Sequence, residues 1–512
     1  MSVNEQALTS DEETLHRLGY AQELRRRMSG FSNFAVSFTI ISILSGCLTL
    51  FYFGMDEGGP AIIVWGWPIV GIFTLLVGLS MAEVCSSFPT AGGLYYWSAK
   101  LARSNGPAWS WFTGWFNFLG QVAVTAGIDF GAAFFINFLL DLWFGFDLTH
   151  PWHTVLIYAL VLLLHGMLNQ FGIRLVALLN SVSVWWHILG VLIIVGAMVF
   201  GLKAGAHHES AKYVFTDLEN LSGFKIGWWY ILPVGLLMAQ YTFTGYDASA
   251  HMTEETHKAA TAGPRGIVMS IVVSLFAGWV LLIGMTFAIQ KGNYAGEAAA
   301  GTAAPAQIWI DSIGRTGAEL LLLVVIGAQL FCGMSSVTAN SRMIYAFSRD
   351  GALPGSQIWH RVNKRTRTPT NAIWLAAGGA LILGLPYLWN GAAYGAVTSI
   401  AVIGLYIAYV VPTYLRLRQG ESFQRGPWHL GRRSYAIGWT AVVWVVIIAI
   451  LFMLPQFGPI GLKTFNYAPV AVVVVIGYAG ISWLVSARKW FTGPKVQGTE
   501  AELAAIEQEL SA

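Results

Sequence analysis

Charge is scarce in this chain. Only 11% of its 512 residues are Asp, Glu, Lys or Arg, against 55% hydrophobic and 14% aromatic. A water-soluble domain cannot hide that much apolar surface, so lipid has to be the solvent. A net charge of +3 leaves no basic surface that would call for a nucleic acid. Cysteine is equally sparse: Cys47, Cys85 and Cys332 stand far apart inside apolar runs. That excludes a disulfide framework and metal-ligand spacing, and the three read as packing residues. No nucleophile–base constellation, metal cluster or phosphate loop is legible, which argues against an enzyme and calls for no cofactor. The start lacks the early apolar stretch and small-residue cleavage site of a signal peptide. Residues 1–30 are polar, carry Arg25, Arg26 and Arg27 before the first apolar run, and read as a cytosolic tail.

What the chain has is long apolar runs. A hydrocarbon core about 30 Å thick needs roughly 20 apolar residues in helical form. Twelve stretches qualify: 31–54, 61–86, 107–140, 152–170, 175–201, 226–250, 266–290, 318–347, 371–388, 393–415, 435–454 and 467–485. The expectation is an all-α polytopic membrane protein with twelve transmembrane helices. With both termini in the cytoplasm of a plasma-membrane protein, the outer loops hold Lys203, Lys212, Lys225, Lys291, Arg315 and Lys463, six of the 29 Lys and Arg. The positive-inside bias supports that orientation, as does Trp near span ends, such as Trp65, Trp109, Trp152 and Trp228. Residues 491–512 read as a second cytosolic tail, solvated or a short amphipathic helix.

Two spans carry small and polar residues where a continuous lipid-facing helix would not want them. In the first, Ser42, Ser45, Gly46 and Cys47 fall together; in the sixth, Tyr241, Thr242, Thr244, Gly245 and Asp247 do. Such runs serve either close helix packing or unwinding around a cavity. These two open successive five-span blocks, 31–202 and 226–417, and paired interruptions in corresponding positions point to an inverted-repeat transporter. Half-helix N-termini attract an anion and freed carbonyls a cation, a pairing that suits a zwitterionic amino acid.

At these residues the sequence resembles the amino acid–polyamine–organocation permeases, in particular their amino-acid/choline branch with its GABA permeases. The resemblance rests on Gly30, Phe31, Ser32, Asn33 and Phe34 leading into Ser45 and Gly46, and on Glu83 with the run 89–97 (PTAGGLYYW). It continues through Thr244, Gly245, Tyr246 and Asp247 with Glu254 and Glu255, and through Asn340, Ser341 and Arg342 to the run 349–354 (RDGALP). It implies a five-plus-five inverted-repeat (LeuT-like) core over 31–417, two additional helices within 418–490, and alternating access around a central site. A substrate carboxylate would meet the backbone amides of Ser45, Gly46 and Cys47. Its amino group would meet carbonyls near Tyr241 and Thr242, within a site that also includes Thr244 and Gly245. Tyr241 stands where related permeases carry an aromatic gate, or else packs.

Ionisable groups at membrane depth demand an account. Asp129 lines the pathway or bonds a neighbouring helix. Glu83 and Arg342 pair as an inner gate or snorkel to the interface. The motif Asn169, Gln170, Phe171, Gly172, Ile173, Arg174 places His187 where sodium-independent family members carry a lysine. His187 is therefore expected either to couple transport to protons or to be a neutral buried histidine, with Asp247 as the alternative proton carrier. The leading expectation is proton-coupled uptake of an amino acid, GABA, a polyamine or choline. Sodium symport through Ser335, Ser336 and Thr338, exchange, and a solute-sensing membrane receptor are the alternatives.

Overall fold

A computed structural model describes residues 10–146, 150–171 and 173–511. Residues 1–9 of the expected N-terminal tail, Gly172 of the fifth-span motif and Ala512 lie outside the described residues. No strand forms among the described residues, as an apolar chain in lipid requires: a helix satisfies its own backbone hydrogen bonds, whereas an open strand edge does not.

Eleven of the described helices are long and apolar enough to cross a membrane. They include the first span, Gly30–Thr49; the second, Gly59–Ser87; the third, Gly106–Phe144; the fourth, Pro151–Gln170; and the fifth, Ile173–Phe200. The seventh is Ala259–Ala288, the eighth Arg315–Arg349, the ninth Thr370–Gly384, the tenth Ala393–Gln419, the eleventh Ser434–Leu451 and the twelfth Ala468–Val485. The expected sixth span is not an uninterrupted helix. It is split into Trp228–Gly235, Leu237–Thr242 and Ala248–His251, which is why it falls outside the eleven. Pro60, Pro107 and Pro151 open the second, third and fourth spans, where a missing N–H costs nothing.

Burial follows the same logic. On the fourth span Leu156, Leu160, Leu163, Leu164 and Met167 are exposed at helical spacing while Tyr158, Leu162, His165 and Asn169 are buried. The apolar stripe faces lipid and the polar one faces protein. The third span is the hub, packing against the fourth, eighth, ninth, tenth and twelfth. The first packs against the fifth, seventh and eighth, and the seventh against the second.

The first and last described segments lie on one face, termed here the terminal face: the Gln497 amide donates to the Gly19 carbonyl (2.8 Å), and His16 Nε2 meets Glu507 (2.8 Å). The described part of the N-terminal segment packs against the bundle. Tyr20, Ala21, Leu24 and Met28 are fully buried, and Tyr20 donates to Asp350 (3.1 Å), which also receives Tyr95 (2.7 Å) and the Lys495 amide (3.0 Å). The helix Glu500–Ser511 lies beside this strap, with Glu507 accepting from the Gln22 amide.

Candidate functional site

The first span is interrupted at Ser42. Gly30–Ile41 ends there, Ser42 takes a left-handed φ of +37°, and a new helix runs Ile43–Thr49. The amides of Ser45 and Gly46 donate to the Ser42 carbonyl at 2.8 and 3.0 Å. Of the first-turn amides that lack an intrahelical acceptor, Ile43 and Leu44 are left, directly ahead of the Ser45, Gly46 and Cys47 amides expected to hold a carboxylate.

The second interruption spans Phe243 to Asp247. Gly245 has φ +89°, and a Cβ there would run into Ile40 of the first span, so only glycine fits both the conformation and the approach. Thr244 Oγ1 donates to the Tyr241 carbonyl (2.7 Å), the Gly245 amide to Tyr409 Oη (3.3 Å), and Tyr406 Oη to the Phe243 carbonyl (3.1 Å). The two breaks touch: a Cβ on Gly46 would lie 2.5 Å from Thr242 Oγ1.

Around this contact stand polar atoms that are buried and have no hydrogen-bond partner among the described residues: Tyr241 Oη, Tyr394 Oη and Gln329 Nε2. Tyr241 Oη is 2.5 Å from where a Cβ on Gly127 would sit. Gln329 Nε2 lies 3.2 Å from the corresponding point on Gly131, and Gln329 Oε1 receives Ser45 Oγ (2.6 Å). Buried polar atoms are almost always paired, so these unpaired ones, two of them facing glycines of the third span, mark where a small polar ligand would complete them. Gln329 and Tyr394 carried no sequence signal. Cys47 is buried and packed.

Beyond the second break lies an acid–base pair. Asp247 accepts from Gln121 Nε2 (2.7 Å) and Tyr409 Oη (2.7 Å), and its Oδ2 is 3.3 Å from His251 Nε2, one turn along. His251 Nδ1 is 2.8 Å from the Ala91 carbonyl, which only accepts, so Nδ1 carries a hydrogen. Nε2 then faces a carboxylate, and a stable contact requires a proton between them. Asn117 Nδ2, 3.4 Å from Nε2, is the partner left to a deprotonated ring.

His187 differs. Its Nδ1 donates to the Ser183 carbonyl (2.8 Å) and its Nε2 faces the Ser42 hydroxyl (2.7 Å), so the neutral ring is satisfied at the first break. Asp129 pairs with His165 (3.1 Å), both fully buried, in a notch where Gly333 has no side chain.

The expected Glu83–Arg342 pair does not form. Arg342 binds Glu255 (2.7 Å), beside Arg349–Glu254 (3.1 Å), whereas Glu83 receives Arg416 (3.1 Å) and Ser434. The chain folds each group onto a nearer partner at the terminal face. The hydroxyls proposed for sodium are engaged by protein: Ser335 with Asn180, Ser336 with Thr125, Thr338 with Asn169.

Comparison with known proteins agrees with this architecture. The amino acid permease family matches residues 28–477. The chain is 44% identical to the amino-acid permease BAT1 of Arabidopsis thaliana, over 95% of this chain and 96% of that one. It is 45% identical to the BAT1 homolog of Oryza sativa subsp. japonica, over 94% of each. Against the GABA-specific permease of Saccharomyces cerevisiae it is 34% identical, over 95% of this chain and 86% of that one. A multi-pass helical bundle interrupted twice at one buried polar cluster, in a chain matched along almost its whole length, belongs to the amino acid permease family, a family of membrane transporters and not of enzymes.

Proposed function

We propose that this permease imports amino acids or GABA-like amines across the plasma membrane by proton-coupled alternating access, with both termini cytoplasmic and the repeats 31–202 and 226–417 rocking about the two breaks. The observation that carries the reading is the Asp247–His251 contact beside the second break, which is stable only while it holds a proton. A coupling ion drives transport only if it binds the two conformations unequally. Loss of the proton turns a lone pair toward a carboxylate and favours rearranging the Asp247–His251 turn, whose two side chains also hold Gln121, Tyr409 and the Ala91 carbonyl.

Substrate recognition is assigned to the amides at the start of the second half of span one, the carbonyls of Tyr241 and Thr242, and the unpaired Tyr241, Tyr394 and Gln329 atoms. Tyr241 is the lid, and Glu255–Arg342 with Glu254–Arg349 is the latch on the cytoplasmic side. Sodium symport finds less support, because the Ser335 and Ser336 hydroxyls already have protein partners.

The test is uptake by reconstituted vesicles across a panel of amino acids, GABA, polyamines and choline. Uptake should rise as external pH falls from about 8 to about 6, the range in which a histidine changes charge. It should collapse with a protonophore and need no sodium. Sodium-driven uptake indifferent to pH would overturn the reading.

A further inference from the structure

A cavity of about 540 Å³ opens at the terminal face between the beginnings of the first and seventh spans. Its floor consists of small residues, because the two helices meet there through them: a Cβ on Gly30 would sit 3.6 Å from Ala262 Cβ, and one on Gly266 would run into Asn33. Its walls are large and apolar, Phe31 and Phe34 on one side and Met269 and Val273 on the other. Phe31 is 48% exposed and Met269 47%, so these walls face the membrane and not the protein core.

The mouth has the opposite character. His257, Lys258 and Arg265 line it, all exposed, and none of their side chains has a hydrogen-bond or ion-pair partner among the described residues. An acid beside them, Asp11, accepts from the backbone amides of Lys258 and Ala259 at 2.7 and 3.0 Å. Glu254 and Glu255 are taken by Arg349 and Arg342. Arg265, Met269 and Val273 recur every four residues, a stripe that descends about 12 Å from the charged mouth into the apolar layer. A basic mouth at the membrane surface joined to an apolar groove has the shape and charge of one molecule class.

We propose that this groove binds an anionic phospholipid of the terminal-side leaflet, its phosphate held by His257, Lys258 and Arg265 and an acyl chain laid along Phe31, Phe34, Met269 and Val273. The site loads a part of the protein that matters for transport. Phe34 stacks on Phe38 (5.5 Å), and Phe38 meets the His187 ring edge-on (5.7 Å), at the residue that bonds the Ser42 break. A bound lipid therefore braces the half of span one between Gly30 and Ile41 against span seven, and its presence should alter transport rate.

The experiment uses the full chain, purified and reconstituted into vesicles of phosphatidylcholine alone or mixed with phosphatidylglycerol. Retained lipid is read by native mass spectrometry, and unfolding temperature and uptake are read in parallel. Phosphatidylglycerol should be retained preferentially, raise the unfolding temperature and change the uptake rate. Lys258→Gln with Arg265→Gln should weaken that retention roughly thirty-fold, as expected for removing two surface charges near an anionic headgroup. This double variant should match the unaltered protein in phosphatidylcholine alone. Met269→Trp, which fills the groove without touching its charge, should also abolish the phosphatidylglycerol effect. Full retention in both variants would overturn the proposal. A shift reproduced by inorganic phosphate without lipid would overturn it as well, since the site would then be a plain anion site.

Discussion

Thr242 of the sixth span rests against Gly46 of the first so closely that all three heavy atoms beyond its Cα would lie within 2.5 to 2.9 Å of a Cβ on Gly46. The two interruptions are therefore one structural feature, and any side chain at position 46 separates them.

Gly46→Leu should abolish uptake while the protein still reaches the membrane, and Gly46→Ala should reduce it, because overpacking of this kind costs about 1 to 3 kcal/mol. Thr242→Ala removes two of the three crowding atoms and should restore part of the Gly46→Ala activity. Normal uptake by Gly46→Leu, with membrane abundance unchanged, would take the first break out of the site.

Tyr241 presents a buried hydroxyl without a partner to the glycine face of span three. As a lid it should tolerate Tyr241→Phe, which keeps the ring, with most activity retained. Tyr241→Ala should weaken apparent affinity or slow turnover. Kinetics of all three proteins in the same vesicles decide it, and a silent Ala variant makes Tyr241 packing.

Arg342 and Glu255 are both fully buried at the terminal face. Burial raises the Glu255 carboxyl and the charge of Arg342 opposes that rise. Arg342→Gln leaves a buried carboxylate unpaired, a loss of about 3 to 5 kcal/mol that thermal unfolding should register. Exchanging the two residues, Arg342→Glu with Glu255→Arg, should recover part of it. A stable, fully active Arg342→Gln protein would mean that this pair is not a latch.

On the opposite face the contact is acidic. Glu57 is buried, neither of its carboxylate oxygens has a partner among the described residues, and the Leu221 amide of the neighbouring loop donates a hydrogen bond to the Asp56 carbonyl (2.9 Å). Burial, helped by the charge of Asp56, pushes the Glu57 carboxyl up to about 9, and burial pushes Asp56 up to about 7. An exposed carboxyl titrates near about 4.3, so the closed arrangement binds more protons than an open one throughout the interval above that value. Closure is favoured at low pH and lost progressively as pH rises toward the raised values. A cysteine introduced at Asn220 should react faster with a water-soluble thiol reagent at about pH 9 than at about pH 6 by more than the gain that a freely exposed cysteine shows from its own ionisation. Glu57→Gln should remove that excess, and labelling whose rise with pH only matches that of a freely exposed cysteine would refute the assignment.

The spans and both interruptions were legible in the sequence because they depend on local composition: apolar length sets a span, and Ser42 and Gly245 are residues that let a helix stop. The ion pairs were not. Glu83 has Arg416 and Arg342 has Glu255, partners 333 and 87 residues away that only the packing of distant spans brings together. The packing of the strap around Tyr20 within the expected cytosolic tail was not legible, because polar neighbours hide four residues that become fully buried. Asp247 and His251, four residues apart, did carry a signal, since that spacing places both on one helix face. The eye goes instead to His187, whose two partners satisfy a neutral ring.

That contrast sets the last prediction. His187 faces a carbonyl and a hydroxyl, so removing its proton-binding ability leaves no charge unpaired, whereas Asp247 and His251 form a contact that depends on a proton. Asp247→Asn and His251→Gln should each flatten the dependence of uptake on external pH, and the double variant should be no worse than either alone, because the two act as one unit. His187→Gln should keep the pH profile even if the maximal rate falls. His187→Lys places a fixed charge beside the Ser42 break and tests the converse: if His187 carries the proton, this variant should transport at a rate that no longer responds to pH. A flattened profile in both His187 variants, with a normal one in Asp247→Asn, would transfer the coupling role to His187. Loss of pH dependence in none of the four single variants would remove the proton from both sites.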